Sequence, residues 1–333
     1  MTEQTPGFDV IRDAVELACR APSFHNSQPW RWITDGTTLD LFADEGRLMP
    51  AADPQGREIT LSCGAALDHL VLAMAIAGWN TNVQRFPDQD APYHVARMQF
   101  RRTAVGITET SRLRADAIRW RHTDRRPFGL PSDWTRFEVK LRQAMIPYQV
   151  MFDVVLDGAR PRLAEASRLT EEIRANDPSY EAELSWWTSS SDPHERVPRD
   201  ALVSTTTAAL VDVARDFPTT SSQQAPGVTG VDHSKIVVLS THHEDARLDV
   251  LRCGEALSAL LLECTAAGLA TCTLTHMTEL ASSREVVRKL TGQHGLPQLL
   301  VRIGQPPAGP QSAFTTTPRR PVDEVLEMRK QPS

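Results

Sequence analysis

The sequence predicts an α+β fold assembled from two related halves, and three observations carry that prediction. Residues 63–78 (CGAALDHLVLAMAIAG) and 253–268 (CGEALSALLLECTAAG) align without a gap at an offset of 190 and are identical at eight of sixteen positions. Both segments are apolar nearly all round and end in glycine, as buried helices do. Each is preceded by a strand-like run, at 39–42 and 236–240, and followed by another, at 94–100 and 298–303. Such short runs, rich in Val, Ile and Phe and bounded by turn residues, are strand signals. The expected architecture is an internally duplicated pseudo-dimer with antiparallel or mixed sheets and two buried core helices.

Length fits this reading. At 333 residues the chain is large for one hydrophobic core, and the repeat divides it into halves of about 1–108 and 109–333. The charged fraction of 23% and hydrophobic fraction of 41% are those of an ordinary globular protein. A net charge of −6 argues against a duplex-binding surface, which needs clustered Lys and Arg. The five cysteines form no CxxC and have no zinc-type spacing to histidine. They read as reduced thiols. No basic-then-apolar leader opens the sequence, and the apolar stretches near 65–79 and 256–270 fall short of a bilayer span of roughly 20 residues. A cytoplasmic protein with no membrane and no nucleic-acid partner is expected.

Taken in order, the elements begin with an amphipathic helix carrying Ile11, Val15, Leu17 and Ala18. Prolines stop it in the segment Ala21-Pro22-Ser23-Phe24-His25-Asn26-Ser27-Gln28-Pro29-Trp30. Pro22, Ser23, Asn26 and Gln28 make this either a structural turn or a rigid set of hydrogen-bonding groups suited to the edge of a planar heterocycle. Asp53-Pro54-Gln55-Gly56 and Arg57 follow, Arg57 being a turn residue or a basic site residue, and then the first core helix. Arg121-His122-Thr123-Asp124-Arg125-Arg126 packs three arginines into six positions of an acidic protein. It is a solvated basic turn or, through the planar guanidinium fork, a phosphate site.

A helix-like segment at 161–175 leads into an insertion at about 176–234. The insertion carries Trp186 and Trp187, which either form part of a lid or pack a helix on the core. The second core helix runs into Thr273, Leu274, Thr275 and His276. Near the end stands Pro318-Arg319-Arg320-Pro321, a solvated tail or a further basic site. No G-x-G-x-x-G, P-loop or G-x-S-x-G segment occurs.

Together these segments resemble the nitroreductase superfamily of FMN flavoproteins, whose pattern joins R-x-S/T-x-R/K, A-P-S-x-x-N-x-Q-P-W, a Gly/Ala-rich core helix and a C-terminal R-x-P. More closely, LACRAPSFHNSQPWRW, SCGAALDH, GLATCTLTHMTEL and TPRRPVDEV resemble the Acg-like homologues of actinobacteria. In an ordinary nitroreductase the Arg segment precedes A-P-S in one chain of a homodimer. Here the order is reversed between the halves, so the resemblance implies two fused units of nitroreductase-like fold that complete one site and leave the pseudo-symmetric site empty.

The resemblance implies that Arg121 and Thr123 hold the FMN phosphate, with Arg319 or Arg320 as a further cation, and that Arg125 lies near flavin N1 and O2. It implies that Pro22, Ser23, Asn26 and Gln28 line the ring from the other half. Thr273, Leu274, Thr275 and His276 would supply the turn facing N5, with Thr275 and His276 replacing the usual Glu-Gly pair. The implied activity is ping-pong, NAD(P)H-dependent reduction of nitroaromatics or quinones, with no side chain assigned as catalytic. The alternative is an FMN-sequestering or storage protein in which Trp186 and Trp187 help close a lid over the flavin.

Overall fold

A computed structural model describes residues 5–188, 194, 196–198, 201–217, 230–242, 246–292, 294–307 and 317–329. The first half contains α1 (Phe8–Ala18), β1 (Trp30–Thr34), β2 (Thr38–Ala43), α2 (Arg57–Ile76), β3 (Trp79–Arg85) and β4 (His94–Arg102). Next come α3 (Glu109–Trp120), α4 (Trp134–Met145), β5 (Met151–Val154), α5 (Arg160–Ala175), α6 (Pro178–Thr188), α7 (Thr205–Ala208) and β6 (Lys235–Thr241). They are followed by α8 (Arg247–Ala266), β7 (Ala270–Leu274), α9 (His276–Glu279), α10 (Ala281–Leu290), β8 (Leu296–Gly304), α11 (Val322–Val325) and β9 (Leu326–Met328).

Two sheets form. One has the order β3-β4-β2-β1-β9 and the other β5-β6-β8-β7. Read from opposite ends, the second repeats the first four strands of the first in chain position and antiparallel pairing. The exception is β9, which pairs parallel with β1. One C-terminus can cap only one of two equivalent edges, so the first sheet gains a strand that the second lacks. The halves also differ in their connections. β1 and β2 are joined by the tight turn 35–37, held by Asp35 accepting from the backbone of Thr37 and Thr38 at 2.8 Å each. Between β5 and β6 stand α5, α6 and α7.

The two core helices cross at their glycines. A Cβ on Gly64 would lie 2.2 Å from the Leu251 carbonyl oxygen, and one on Gly254 would lie 2.1 Å from that of Leu61. Both residues of each contact are related to those of the other by the 190-residue offset, so the crossing is two-fold in character. Ser258, equivalent to Asp68, donates to it at 2.6 Å. Leu251 of α8 enters the core of the first half and Leu61 of α2 that of the second, which interlocks them. Gly78 and Gly268, at φ 84° and 73°, end the two repeats in the left-handed region that glycine enters without a Cβ penalty.

Both core helices start earlier than the repeat implied. They begin at Arg57 and Arg247, about a turn and a half ahead of Cys63 and Cys253. The polar first turns hid these starts. As a result α2 has 20 residues, with mean hydropathy of 1.7 in its most apolar window. It is long enough to cross a bilayer, contrary to the length read from its apolar stretch. In this fold 72% of that window is buried within the protein, against α8 and the first sheet.

Candidate functional site

A cavity of about 870 Å³ opens beside the crossing helices. Its wall draws on segments far apart in sequence: Pro22, Ser23 and Asn26 after α1; Glu58, Leu61 and Ser62 of α2; Arg121, Thr123 and Arg125 after α3; Thr273 and Leu274 of β7 with Thr275; and Arg319. Both halves therefore contribute, as the sequence order implied. Residues 197–198 and 201–217 complete the wall through Val197, Pro198, Leu202 and Phe217 among others.

The turn after α1 is built from local hydrogen bonds. His25, Asn26 and Gln28 all have positive φ, at 49°, 57° and 49°. Such backbone is costly outside glycine and persists where surrounding bonds over-determine it. Ser23 Oγ accepts from the Gln28 amide at 3.0 Å, and Ser62 Oγ of α2 accepts from the Phe24 amide at 3.1 Å. Asn26 Nδ2 donates to the carbonyls of Arg196 (2.8 Å) and Pro318 (3.3 Å). Gln28 departs from its expected place. It is fully buried outside the cavity wall, donating to the His194 carbonyl at 2.9 Å and accepting from the Arg320 amide at 2.8 Å. Its amide pairs two backbone segments and so positions the turn from behind.

The arginines concentrate at one part of the wall. Arg319 donates to the carbonyls of Cys19 (2.9 Å), Arg20 (3.2 Å) and Ala21 (3.3 Å). Arg121 reaches the Arg20 carbonyl at 3.4 Å, while its Nε, like that of Arg20, is buried without a hydrogen-bond partner. Among the described residues no carboxylate pairs with Arg20, Arg121, Arg125 or Arg319. Burial, with Arg20 nearby, pushes Arg121 down to about 10. Burial, with Arg121 and Arg20, pushes Arg319 down to about 9. Buried cations that depress one another form an uncompensated positive field, the condition in which an anion is taken up. Arg125 is also lowered, chiefly by burial. It donates to the Ala201 carbonyl at 3.0 Å and lies 4.9 Å over the Phe217 ring.

Of the two C-terminal arginines, Arg319 is in the wall. Arg320 is not, and faces Asp44 (3.6 Å) and Glu324 (3.7 Å) instead. His276 is corrected as well. It opens α9, is fully buried, and sets Nε2 2.8 Å from Ser167 Oγ behind the wall that Thr275 provides. Arg57 is a structural tie, bonded to the Gln298 carbonyl at 2.6 Å and to Thr278 at 3.2 Å.

Trp186 and Trp187 lie outside the wall. Trp187 packs with Phe24, Met49 and Tyr180 in a satellite core, and Trp186 is half-exposed, edge-on to it at 4.5 Å. The helical periodicity of α6 places Trp187 inward, as the packing reading has it, while Trp186 remains half-exposed. Within the expected insertion, residues 189–193, 195, 199–200 and 218–229 lie outside the described residues.

Three contributors carry no motif of their own. Arg20 was overlooked although it directly precedes Ala21-Pro22. Arg215 ion-pairs with Glu279 and donates to Tyr180 at 2.5 Å. Glu58 is pushed up to about 8 by burial, with Arg57 opposing. All five cysteines are free and buried, and burial pushes the Cys19 thiol up to about 12. None is an activated thiolate.

No protein-family model matches the chain. The Mycobacterium tuberculosis protein named "Putative NAD(P)H nitroreductase acg" is 50% identical over 321 residues, 96% of each chain. A second protein of that organism with the same NAD(P)H nitroreductase designation is 33% identical over 346 residues, 98% of this chain and 94% of its own. The solved FMN-dependent nitroreductase NfnB from Mycobacterium smegmatis, in complex with NADPH, covers 67% of this chain and 100% of its own at 19% identity and a TM-score of 0.38.

Proposed function

Because the chain belongs to the nitroreductase family, we propose that it binds FMN and passes electrons from NAD(P)H to a quinone or nitroaromatic acceptor. The observation that carries this reading is the buried Arg121 with the half-buried Arg20, Arg125 and Arg319, without carboxylate partners among the described residues, beside a cavity whose volume falls in the range of about 300–1,000 Å³ typical of small-molecule sites. The phosphate of FMN supplies the missing anion. Arg121, Arg319 and Thr123 would hold it, with Arg20 adding to the field, and Leu61, Leu257 and Leu299 give the cavity apolar walls for a ring system.

Ser23 and the 273–275 segment would line the ring, and Arg125 would stabilise negative charge on it, as protein charge near a flavin does. When bound, FMN supplies two-electron transfer between a nicotinamide and an acceptor. The chain itself would orient both partners and exclude water. We also infer that residues 1–108 and 109–333 are the two fused units, and that the buried free thiols suit a cytoplasmic protein.

A second reading, FMN sequestration, is favoured by a specific feature. Residues 196–198 and 201–217 are bonded to the cavity wall, by Asn26 to the Arg196 carbonyl and by Arg125 to that of Ala201. A cover of this kind either opens during turnover or keeps nicotinamide out. Two experiments test these readings. Protein purified and mixed with FMN should retain it stoichiometrically, and a protein that stays colourless rules out both. NADPH added anaerobically to the holoprotein should bleach the flavin band rapidly. Bleaching only by dithionite leaves sequestration.

A further inference from the structure

Glu171, on the cavity side of α5, has an unused oxygen. The residue lines the cavity and its side chain is 13% exposed, yet Oε1 is buried with no hydrogen-bond partner among the described residues. The nearest ring nitrogen, His276 Nε2, is 3.8 Å away. That nitrogen is already engaged. Ser167 Oγ donates its one proton to the Ala214 carbonyl at 3.1 Å, so at 2.8 Å His276 Nε2 donates to Ser167 and has no second proton for Glu171.

The surrounding charges are committed too. Arg215, after α7, pairs with Glu279 of α9 and with Tyr180 of α6. Arg174 of α5 pairs with Glu279 at 3.3 Å, and Arg168 of the same helix pairs with Glu172. Burial, with the Asp216 and Glu279 charges adding and Arg215 and the Asp216 backbone amide opposing, pushes Glu171 up to about 7. Near neutral pH it thus holds a proton part of the time and can offer an O–H to the cavity, whereas Glu58, the other acid of the wall that burial raises, is engaged by Arg57.

We propose that Glu171 is the proton donor to the acceptor in this cavity, and that the acceptor class it suits is a quinone, whose carbonyl oxygen takes a proton as the ring is reduced. The proposal rests on the oxidoreductase reading. Reduction of a quinone to its hydroquinone consumes two electrons and two protons. NAD(P)H supplies the electron pair and one proton as a hydride equivalent. Glu171 supplies the other: its O–H bond breaks, an O–H bond forms at the former carbonyl, and the carboxylate regains a proton from water.

The test uses holoprotein reduced chemically with dithionite, then mixed anaerobically with p-benzoquinone or with ferricyanide, which takes electrons without a proton. This bypasses the nicotinamide, so failure of NAD(P)H turnover overturns the function proposed above and not the role of Glu171. The quinone-to-ferricyanide rate ratio is expected to fall tenfold or more in Glu171→Gln. The quinone rate of the wild type should decline as pH rises through about 7, a decline the variant lacks. FMN affinity gives an independent readout. Between pH 6 and 8 the new carboxylate should weaken FMN binding to the wild type about threefold more than to Glu171→Gln. An unchanged rate ratio, a pH inflection retained in the variant, or reduced holoprotein that no quinone reoxidises overturns the proposal.

Discussion

The two sides of the α2–α8 crossing are built on one framework and carry opposite chemistry. On one side, the turn after α1 and the end of β7 border a cavity where Arg20, Arg121, Arg125 and Arg319 find no carboxylate among the described residues. On the other, the equivalent positions are filled. Tyr148, after α4, donates to Asp68 of α2 at 2.7 Å, and Arg85, 190 residues before Thr275, donates to Glu255 of α8 at 2.6 Å. Arg252 meets Gln149 at 2.5 Å and Lys140 meets Glu263 at 2.7 Å. On the side where the resemblance implies an empty pseudo-symmetric site, the side chains pair with one another. The duplicated backbone supplies two candidate sites, and the placement of carboxylates selects one of them for an anion.

The comparison breaks most severely at the crossing itself. Gly64→Ala and Gly254→Ala each drive a Cβ to within 2.2 Å of a backbone oxygen that cannot swing away. Each should cost about 3 kcal/mol or more, with near-equal values because the contacts are symmetric. Gly7→Ala meets nothing within 4 Å and serves as the control. Equilibrium unfolding in denaturant measures all three. A loss confined to one glycine would show that the crossing is not two-fold in its energetics.

The next test sets one arginine from each side against the other. Arg85→Met leaves Glu255, whose side chain is 3% exposed, without its partner, and should destabilise the protein by about 2–3 kcal/mol. FMN affinity should stay within twofold. Arg121→Met removes a cation that neighbouring arginines repel, so the apoprotein should be no less stable. FMN binding should weaken on the order of tenfold to a hundredfold, the worth of one charge-assisted contact to a phosphate. Thermal unfolding and fluorescence titration with FMN read the two effects. If both variants lose stability and neither loses affinity, the arginine-rich wall is structural.

How much of this was legible in the sequence depended on what each residue answers to. The repeat was legible because helix packing fixes Gly64, Gly254 and the leucines to one register. The strands followed from their β-branched runs, and all four became β2, β4, β6 and β8. Arg121, Thr123, Arg125 and Ser23 were legible as local clusters of chemistry. Gln28, His276 and Arg320 stand off the wall because their partners are carbonyls, a hydroxyl and carboxylates contributed largely by other segments. Arg215 and Glu171 carry no local signal, since α5 and the segment after α7 meet only through tertiary packing.

The smallest predicted effect comes from the acids of the cavity. Glu58 is pushed up to about 8 and Glu171 to about 7 by burial, from ordinary values of 4.5. Between pH 4.5 and 8 these two groups therefore hold protons in the folded state that they have released in the unfolded state, and their contribution to stability falls as pH rises through that window, while the buried His25, His69 and His276, held below their ordinary value, contribute in the opposite sense. Below it both states are protonated, and the full stability is present. Above it the penalty is complete. Glu58→Gln removes one titrating group and should flatten the decline of Tm between pH 5 and 8, so the variant's advantage grows with pH. Bound FMN adds a phosphate that titrates near pH 6, which makes the apoprotein the correct sample. A Glu58→Gln variant whose Tm advantage over wild type does not grow with pH would mean that Glu58 is already ionised in the folded protein.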